Sequence, residues 1–328
     1  MEDLSTFLSS IGHEVEDADE ESFLLFSQEI PSSNLGFVDS KATTVDITIH
    51  GQDYTIHQSP TLLSSSRAGG TTGAVLWKIT PLFAEWLSNT STNPLWTSSH
   101  LTSNSTVVEL GCGISGLTAL TLAPLVGHYL ATDQEYVARL FRQNLESNPP
   151  QQSQKPASGS GSGSGSKGKS KGRRQQPPKG KPKESSSGAL HPNITFVSLD
   201  WELDNPARLR QEIPNLDGEG DNDSNPDPDP DTGFDLLLSC DCIYNESLIA
   251  PFVRTCSEIA ALRRDTSSGR NKPTICMIAQ QQRSPDVFEA WLRETMRVFR
   301  VWRVDSSVLG GKLGEGSGYL THALLLKD

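Results

Sequence analysis

From residue 106 onward the chain alternates two hydrophobic rhythms. Short, nearly continuous apolar runs such as "TVVEL", "DLLLS" and "TICMIAQ" have the length and composition of strands covered on both faces. Between them, residues 115–125, 134–147, 246–262 and 285–297 carry apolar side chains at helical spacing. The strands expected in order are "TVVEL", "GHYLATD", "NITFVSLDW", "FDLLLSCD", "TICMIAQQ", "VFRVWRVD" and "GYLTHALLLK". The last two adjoin without a helix, so one of them should run antiparallel. Upstream, residues 44–57 alternate apolar and polar positions on both sides of Gly51, which predicts a β-hairpin. Residues 73–88 show helical spacing, with Pro81 marking a kink or a restart. Together these elements predict an α/β fold: a doubly wound, mostly parallel seven-stranded sheet with an N-terminal β-hairpin extension.

Composition changes this picture in three places. Residues 149–190 are rich in Gly, Ser, Pro and Lys, and residues 214–233 in Asp and Pro. Neither stretch can bury a core, so both are expected to be disordered loops within one domain spanning 41–328. Residues 1–40 are acidic and are expected to form a partly disordered extension. They hold no Lys or Arg, so they resemble neither a signal peptide nor a mitochondrial presequence. No window approaches eighteen apolar residues, which argues against a membrane span. The five cysteines are odd in number and fall mostly in or beside strands, as free thiols of a reducing compartment would. That points to the cytoplasm, with the nucleus as second choice. Cys240 and Cys242 form a C-x-C pair without partners at zinc spacing, so no metal is expected. A net charge of −12 argues against a general nucleic-acid surface, although the basic run at 167–183 suits weak RNA contact. The chain is expected to be a monomer.

The chemistry is concentrated at strand ends. "VELGCGISG" closes the first strand of the alternating region with Glu109, Gly111, Cys112 and Gly113. Glycine there permits positive φ and close approach of a ligand to the backbone. Gly111-x-Gly113-x-x-Gly116 is also a dinucleotide fingerprint, so NAD is one reading. Glu109 ahead of the glycines suits a cationic ligand better than a pyrophosphate and favours S-adenosylmethionine. Asp133, at the end of the next strand, can accept hydrogen bonds from ribose hydroxyls in either case. Asp200 and Trp201 of "LDWE" would lie at the adenine edge. "CDCIYN" places Asp241 and Tyr244 at i and i+3, an acid and a phenol able to face one mouth and align an amine.

The strings "TGAVLW", "VELGCGISG", "ATDQ", "LDWE", "CDCIYN" and "AQQQRSPDVFEAWL" resemble the seven-β-strand (class I) protein-lysine methyltransferases. With "VWRVD", the last two strings narrow the resemblance to the fungal ribosomal lysine N-methyltransferase 5 group. It covers roughly 40–150 and 190–328. It implies a class I methyltransferase fold, S-adenosylmethionine as cofactor, and a lysine acceptor on a basic, large-subunit ribosomal protein. Sister groups imply a chaperone-like ATPase or an elongation factor instead, and a non-enzymatic partner-binding module or a small-molecule methyltransferase are the alternatives from other classes. By matching position, Trp77 would wall the donor pocket from a helix, and Gly111 and Gly113 would approach the donor's methionine part. Asp133 would bind the ribose, Trp201 would lie by the adenine, and Cys240 would line the pocket through its backbone. Asp241 and Tyr244 match the family's D-x-x-Y motif and would face the lysine.

Overall fold

The structure is a computed structural model and describes residues 2–31, 35–66, 70–150, 190–213, 233–263 and 272–327. Its strands are β1 (Gly12–Glu14), β2 (Thr44–Ile49), β3 (Gln52–His57), β4 (Thr106–Leu110), β5 (His128–Asp133), β6 (Ile194–Ser198), β7 (Leu236–Cys240), β8 (Ile275–Gln281), β9 (Phe299–Val304) and β10 (Tyr319–Leu326). Strands β2 and β3 form the expected hairpin. The other eight form one sheet in the order β1-β9-β10-β8-β7-β4-β5-β6. Strands β4 to β8 pair in parallel, and β10 runs antiparallel to both β8 and β9. The expected seven strands are therefore present, and an eighth joins them.

That eighth strand corrects the reading of the N-terminus. Residues Glu2–Ile11 form a helix, β1 pairs antiparallel with β9, and Ala18–Phe26 forms a second helix. Leu4, Phe7, Leu8 and Ile11 are buried against one face of the sheet. Their i, i+3, i+4, i+7 spacing is an amphipathic stripe that the acidic composition obscured. Arg300 grips Glu14 with two hydrogen bonds of 2.7 Å, and the Trp302 indole donates to Ser9 at 3.2 Å. Strand β1 thereby covers the free edge of β9.

Two hydrophobic layers sandwich the sheet. One contains Phe83, Leu87, Leu122, Phe141 and Trp302. The other contains Phe234, which precedes β7, with Phe252 and Ile259 from the helix Ile249–Ala261 and Trp291 and Leu292 from the helix Pro285–Val298. The hairpin packs on the first layer through Ile49, Tyr54 and Ile56. Asn144 on the helix Ala138–Ser147 and Asn148 just past its end hydrogen-bond the backbone of β3 at His57 and Thr55. Asn144 also donates to the carbonyl of Ile114 at 2.7 Å, tying the hairpin to the glycine turn.

Pro81 is not a kink. The helix there runs only over Ile79–Leu87, and Pro81 sits in its first turn, where a missing N–H costs no helical hydrogen bond. Residues 75–78 are not helical, so Trp77 reaches its position from a connecting segment rather than from a helix. The two biased stretches fall almost wholly outside the described residues.

Candidate functional site

The chain runs outward from β4 to β5 and β6, then returns to place β7 on the other side of β4. In an open α/β sheet such a reversal leaves a crevice at the carboxyl ends of the two strands. A cavity of about 390 Å³ lies there. Its wall includes Trp77, Glu109, Gly111, Cys112, Gly113, Asp133, Asp200, Trp201, Cys240, Asp241 and Tyr244, so every residue singled out in the sequence comes to one place.

On the β4–β5 side the backbone shapes the cavity. Gly111 and Gly113 have φ of +69° and +61°, in the left-handed region that β-carbons disfavour. A Cβ on Gly111 would clash with the Cys242 sulfur at 2.3 Å, and one on Gly113 would be crowded by the Gly73 carbonyl oxygen at 3.3 Å. The N–H groups of Gly111 and Cys112 donate to the Thr132 carbonyl at 2.9 and 3.1 Å. The Asp133 carboxylate accepts from the N–H of Gly113 at 2.8 Å and from its neighbour Gln134 at 2.7 Å. Those two bonds aim the carboxylate. The Asp133 carbonyl accepts from Leu199 at 2.9 Å and so anchors the segment that carries Trp201. The Trp201 ring stands edge-on to Phe252, with centroids 5.1 Å apart, and lies beside Gly111.

Glu109 departs from its expected part. Its carboxylate is buried and accepts the Tyr129 hydroxyl at 2.8 Å. Burial pushes its pKa up to about 7 against the opposing pull of that hydrogen bond. It is a half-neutralised wall of the cavity rather than an open acid. The thiols are equally inert: burial pushes Cys112 and Cys240 well up and Cys242 up to about 12, so none is a thiolate at neutral pH.

On the β7–β8 side, side chains shape the cavity. Asp241 sits just past β7 at φ +61°, one of three non-glycine residues with positive φ among those described. Its N–H donates to the Ala279 carbonyl at 2.7 Å. Its carboxylate accepts the Gln281 N–H at 3.2 Å and is ion-paired with Arg283. Burial raises the pKa of this carboxyl and the Arg283 guanidinium pulls it down. The expected free acid at the mouth is therefore already paired. Arg283 also lies 4.5 Å over the Trp77 ring. The Trp77 indole donates to the Thr72 carbonyl at 3.1 Å, and the Thr72 hydroxyl donates to the Tyr244 phenol oxygen at 3.1 Å. Tyr244 itself is 38% exposed and stands at the rim.

Arg283, Thr72 and Gln281 carry no role in the sequence reading. Arg283 follows β8 at the same sheet edge as Asp241, and that placement was the one available signal. Thr72 gave none, because its contact with Tyr244 spans 172 residues.

Residues 56–158 match the family model described as lysine methyltransferase, about a third of the chain. That segment is similar to lysine methyltransferases. It is 28% identical over 258 residues to ribosomal lysine N-methyltransferase 5 of Zygosaccharomyces rouxii, covering 74% of this chain and 70% of that one. It is 26% identical to the protein of the same name from Candida glabrata, covering 81% and 84%. A diaminohydroxyphosphoribosylamino-pyrimidine deaminase of Schizosaccharomyces pombe is 36% identical over 135 residues, which is 41% of this chain but only 32% of that protein. The match to the lysine methyltransferase model points to S-adenosylmethionine as the cofactor. The cavity fits that group: glycines admit it to the backbone, an oriented carboxylate faces it, and the buried Trp201 indole N–H has no hydrogen-bond partner among the described residues. Among the described residues no helix is long and apolar enough to cross a membrane, and no cluster of His, Cys, Asp and Glu could hold a metal.

Proposed function

We propose that this methyltransferase modifies a lysine on a basic ribosomal protein, with the donor seated between β4 and β5 and the acceptor entering past β7. The observation that carries the substrate class is the run of relatives named ribosomal lysine N-methyltransferase 5, which align over 67–84% of the chain. The net charge of −12 supports it, because an acidic surface attracts a free, cationic ribosomal protein.

S-adenosylmethionine supplies an electrophilic methyl group on a cationic sulfur. The residues of this chain do the positioning. Asp133 takes the ribose hydroxyls, Gly111 and Gly113 let the methionine part approach the backbone, and Cys112, Cys240 and Glu109 wall that part. Trp201 covers the adenine, and Trp77 closes the side toward the acceptor. Asp241 and Tyr244 face the lysine. The amine must arrive with its lone pair free to form the new bond, so the apolar Trp77 wall of the cavity, which disfavours charge, assists loss of its proton. Alignment of the two partners then contributes much of the rate.

The test is to incubate the purified protein with radiolabelled donor and a fungal lysate. Label should concentrate in one small basic protein and fall as salt rises. Mass spectrometry of that band identifies the lysine. Label confined to RNA or to an acidic chaperone would refute the ribosomal assignment.

A further inference from the structure

The D-x-x-Y acid is held from behind. Asp241 lines the donor cavity, with only 2% of its side chain exposed. Arg283 does not line that cavity but a much smaller one on its outer flank, shared with Gln281, Ser284 and Phe26. Tyr244 lines both. Asp241, Arg283 and Tyr244 therefore stand between the two cavities. Arg283 contributes two contacts to it at once: the ion pair to Asp241 and the stack on Trp77. A carboxylate and an aromatic face are the two surfaces that best hold a lysine ammonium.

We propose that Arg283 is a positioning residue for the acceptor amine: it sets the direction and charge of the Asp241 carboxylate and couples that carboxylate to the Trp77 wall. The inference rests on the reading of Asp241 as the amine-facing acid. The other titratable groups around Asp241 are the thiols of Cys240 and Cys242 and the phenol of Tyr319. Burial keeps all three protonated at neutral pH, so Arg283 supplies the charge that opposes burial. Without it, Asp241 would take up a proton at higher pH. At still higher pH it would be a bare carboxylate that holds the substrate as ammonium, which has no lone pair to give. Both consequences push the onset of activity toward alkaline pH.

The test compares wild type with Arg283→Gln and Arg283→Lys, using radiolabelled donor and total lysate protein, with the label counted whichever protein carries it. Arg283→Gln should move the acidic limb of the rate profile up by about one pH unit, which is about tenfold in rate at the foot of the limb. Activity should recover at high pH, and S-adenosylhomocysteine affinity should hold. Arg283→Lys keeps the charge but loses the planar fork, so its limb should stay near that of wild type while the rate falls. In parallel, infrared difference spectra against Asp241→Asn follow the Asp241 carboxyl band without any substrate. In Arg283→Gln that band should titrate at higher pH than in wild type. An unmoved band overturns the proposal, even if no lysate protein is labelled. A shifted band with an unmoved rate limb also overturns it, because Arg283 would then tune an acid that the reaction does not use.

Discussion

The two sides of the crevice at the carboxyl end of β4 are built by different means. On the β4–β5 side the groups that shape the cavity hydrogen-bond to backbone: Asp133 to the Gly113 N–H, and the Gly111 and Cys112 N–H groups to the Thr132 carbonyl. On the β7–β8 side they bond to backbone and also to one another: Asp241 to Arg283, Arg283 over Trp77, Thr72 to Tyr244. Backbone contacts keep a site in shape whatever occupies it. A chain of side chains can rearrange, and each link depends on the next. The donor side should therefore tolerate substitution badly but respond simply. The acceptor side should show coupling between positions.

Gly111→Ala tests the rigid side most severely. It needs a positive φ and puts a methyl 2.3 Å from the Cys242 sulfur. Steric crowding and backbone strain together should cost about 2–4 kcal/mol of stability. Thermal unfolding measures this, and Cys242→Ala in the same chain should recover only the steric part.

Asp241→Asn tests the other side. Labelling should fall by about a hundredfold or more, on the scale of losing a positioned charge at a reacting centre. S-adenosylhomocysteine affinity by calorimetry should change by less than about threefold, well under one hydrogen bond. Equal losses in both readouts would show that the division into donor and acceptor sides is false.

Asp133→Ala removes a charged acceptor and should weaken S-adenosylhomocysteine by about 1–3 kcal/mol. Calorimetry showing unchanged affinity would remove Asp133 from the ribose.

Glu109 gives the donor side a pH signature. Its folded pKa is raised to about 7, above the unfolded value near 4.5. Between those values the folded chain holds a proton that the unfolded chain has released. Its contribution to stability is thus greatest below pH 4.5 and is lost as pH rises through 7. Glu109→Gln should flatten the stability profile across that window by about 3 kcal/mol, measurable by denaturant titration at several pH values.

The smallest effect is expected from replacing 151–189 with a short Gly/Ser linker. The flanks are already held together: His191 bonds the carbonyls of Leu145 and Asn148 at 3.2 and 2.9 Å, and closure entropy varies slowly with length. Donor affinity should be unchanged. A loss would place part of that stretch in the donor site.

Much of the donor side was legible because its information is local. A strand ending in glycines, with an acid at the end of the next strand, specifies its own turn. The parallel order of β4 and β5 follows from one right-handed crossover. The N-terminal segment was misread although its signal was local too: Leu4, Phe7, Leu8 and Ile11 carry a helical stripe, and the acids around them outweighed it. Trp77 was assigned to a helix because the spacing of 73–88 ignored where Pro81 must sit in a helix.

By itself, the sequence determined the alternating architecture, the glycine turn and the set of residues at the strand ends. Each depends on residues close together in the chain, whose periodicity and backbone freedom are properties of the residues themselves. The tertiary structure alone decided the charge state of the site. Whether Asp241 is a free acid depends on Arg283, 42 residues away, and whether Glu109 is charged depends on burial against Tyr129, 20 residues away. Charge in a protein interior is set by neighbours and solvent exclusion, and neither exists until the sheet has brought β7 beside β4 and β8 beside β7.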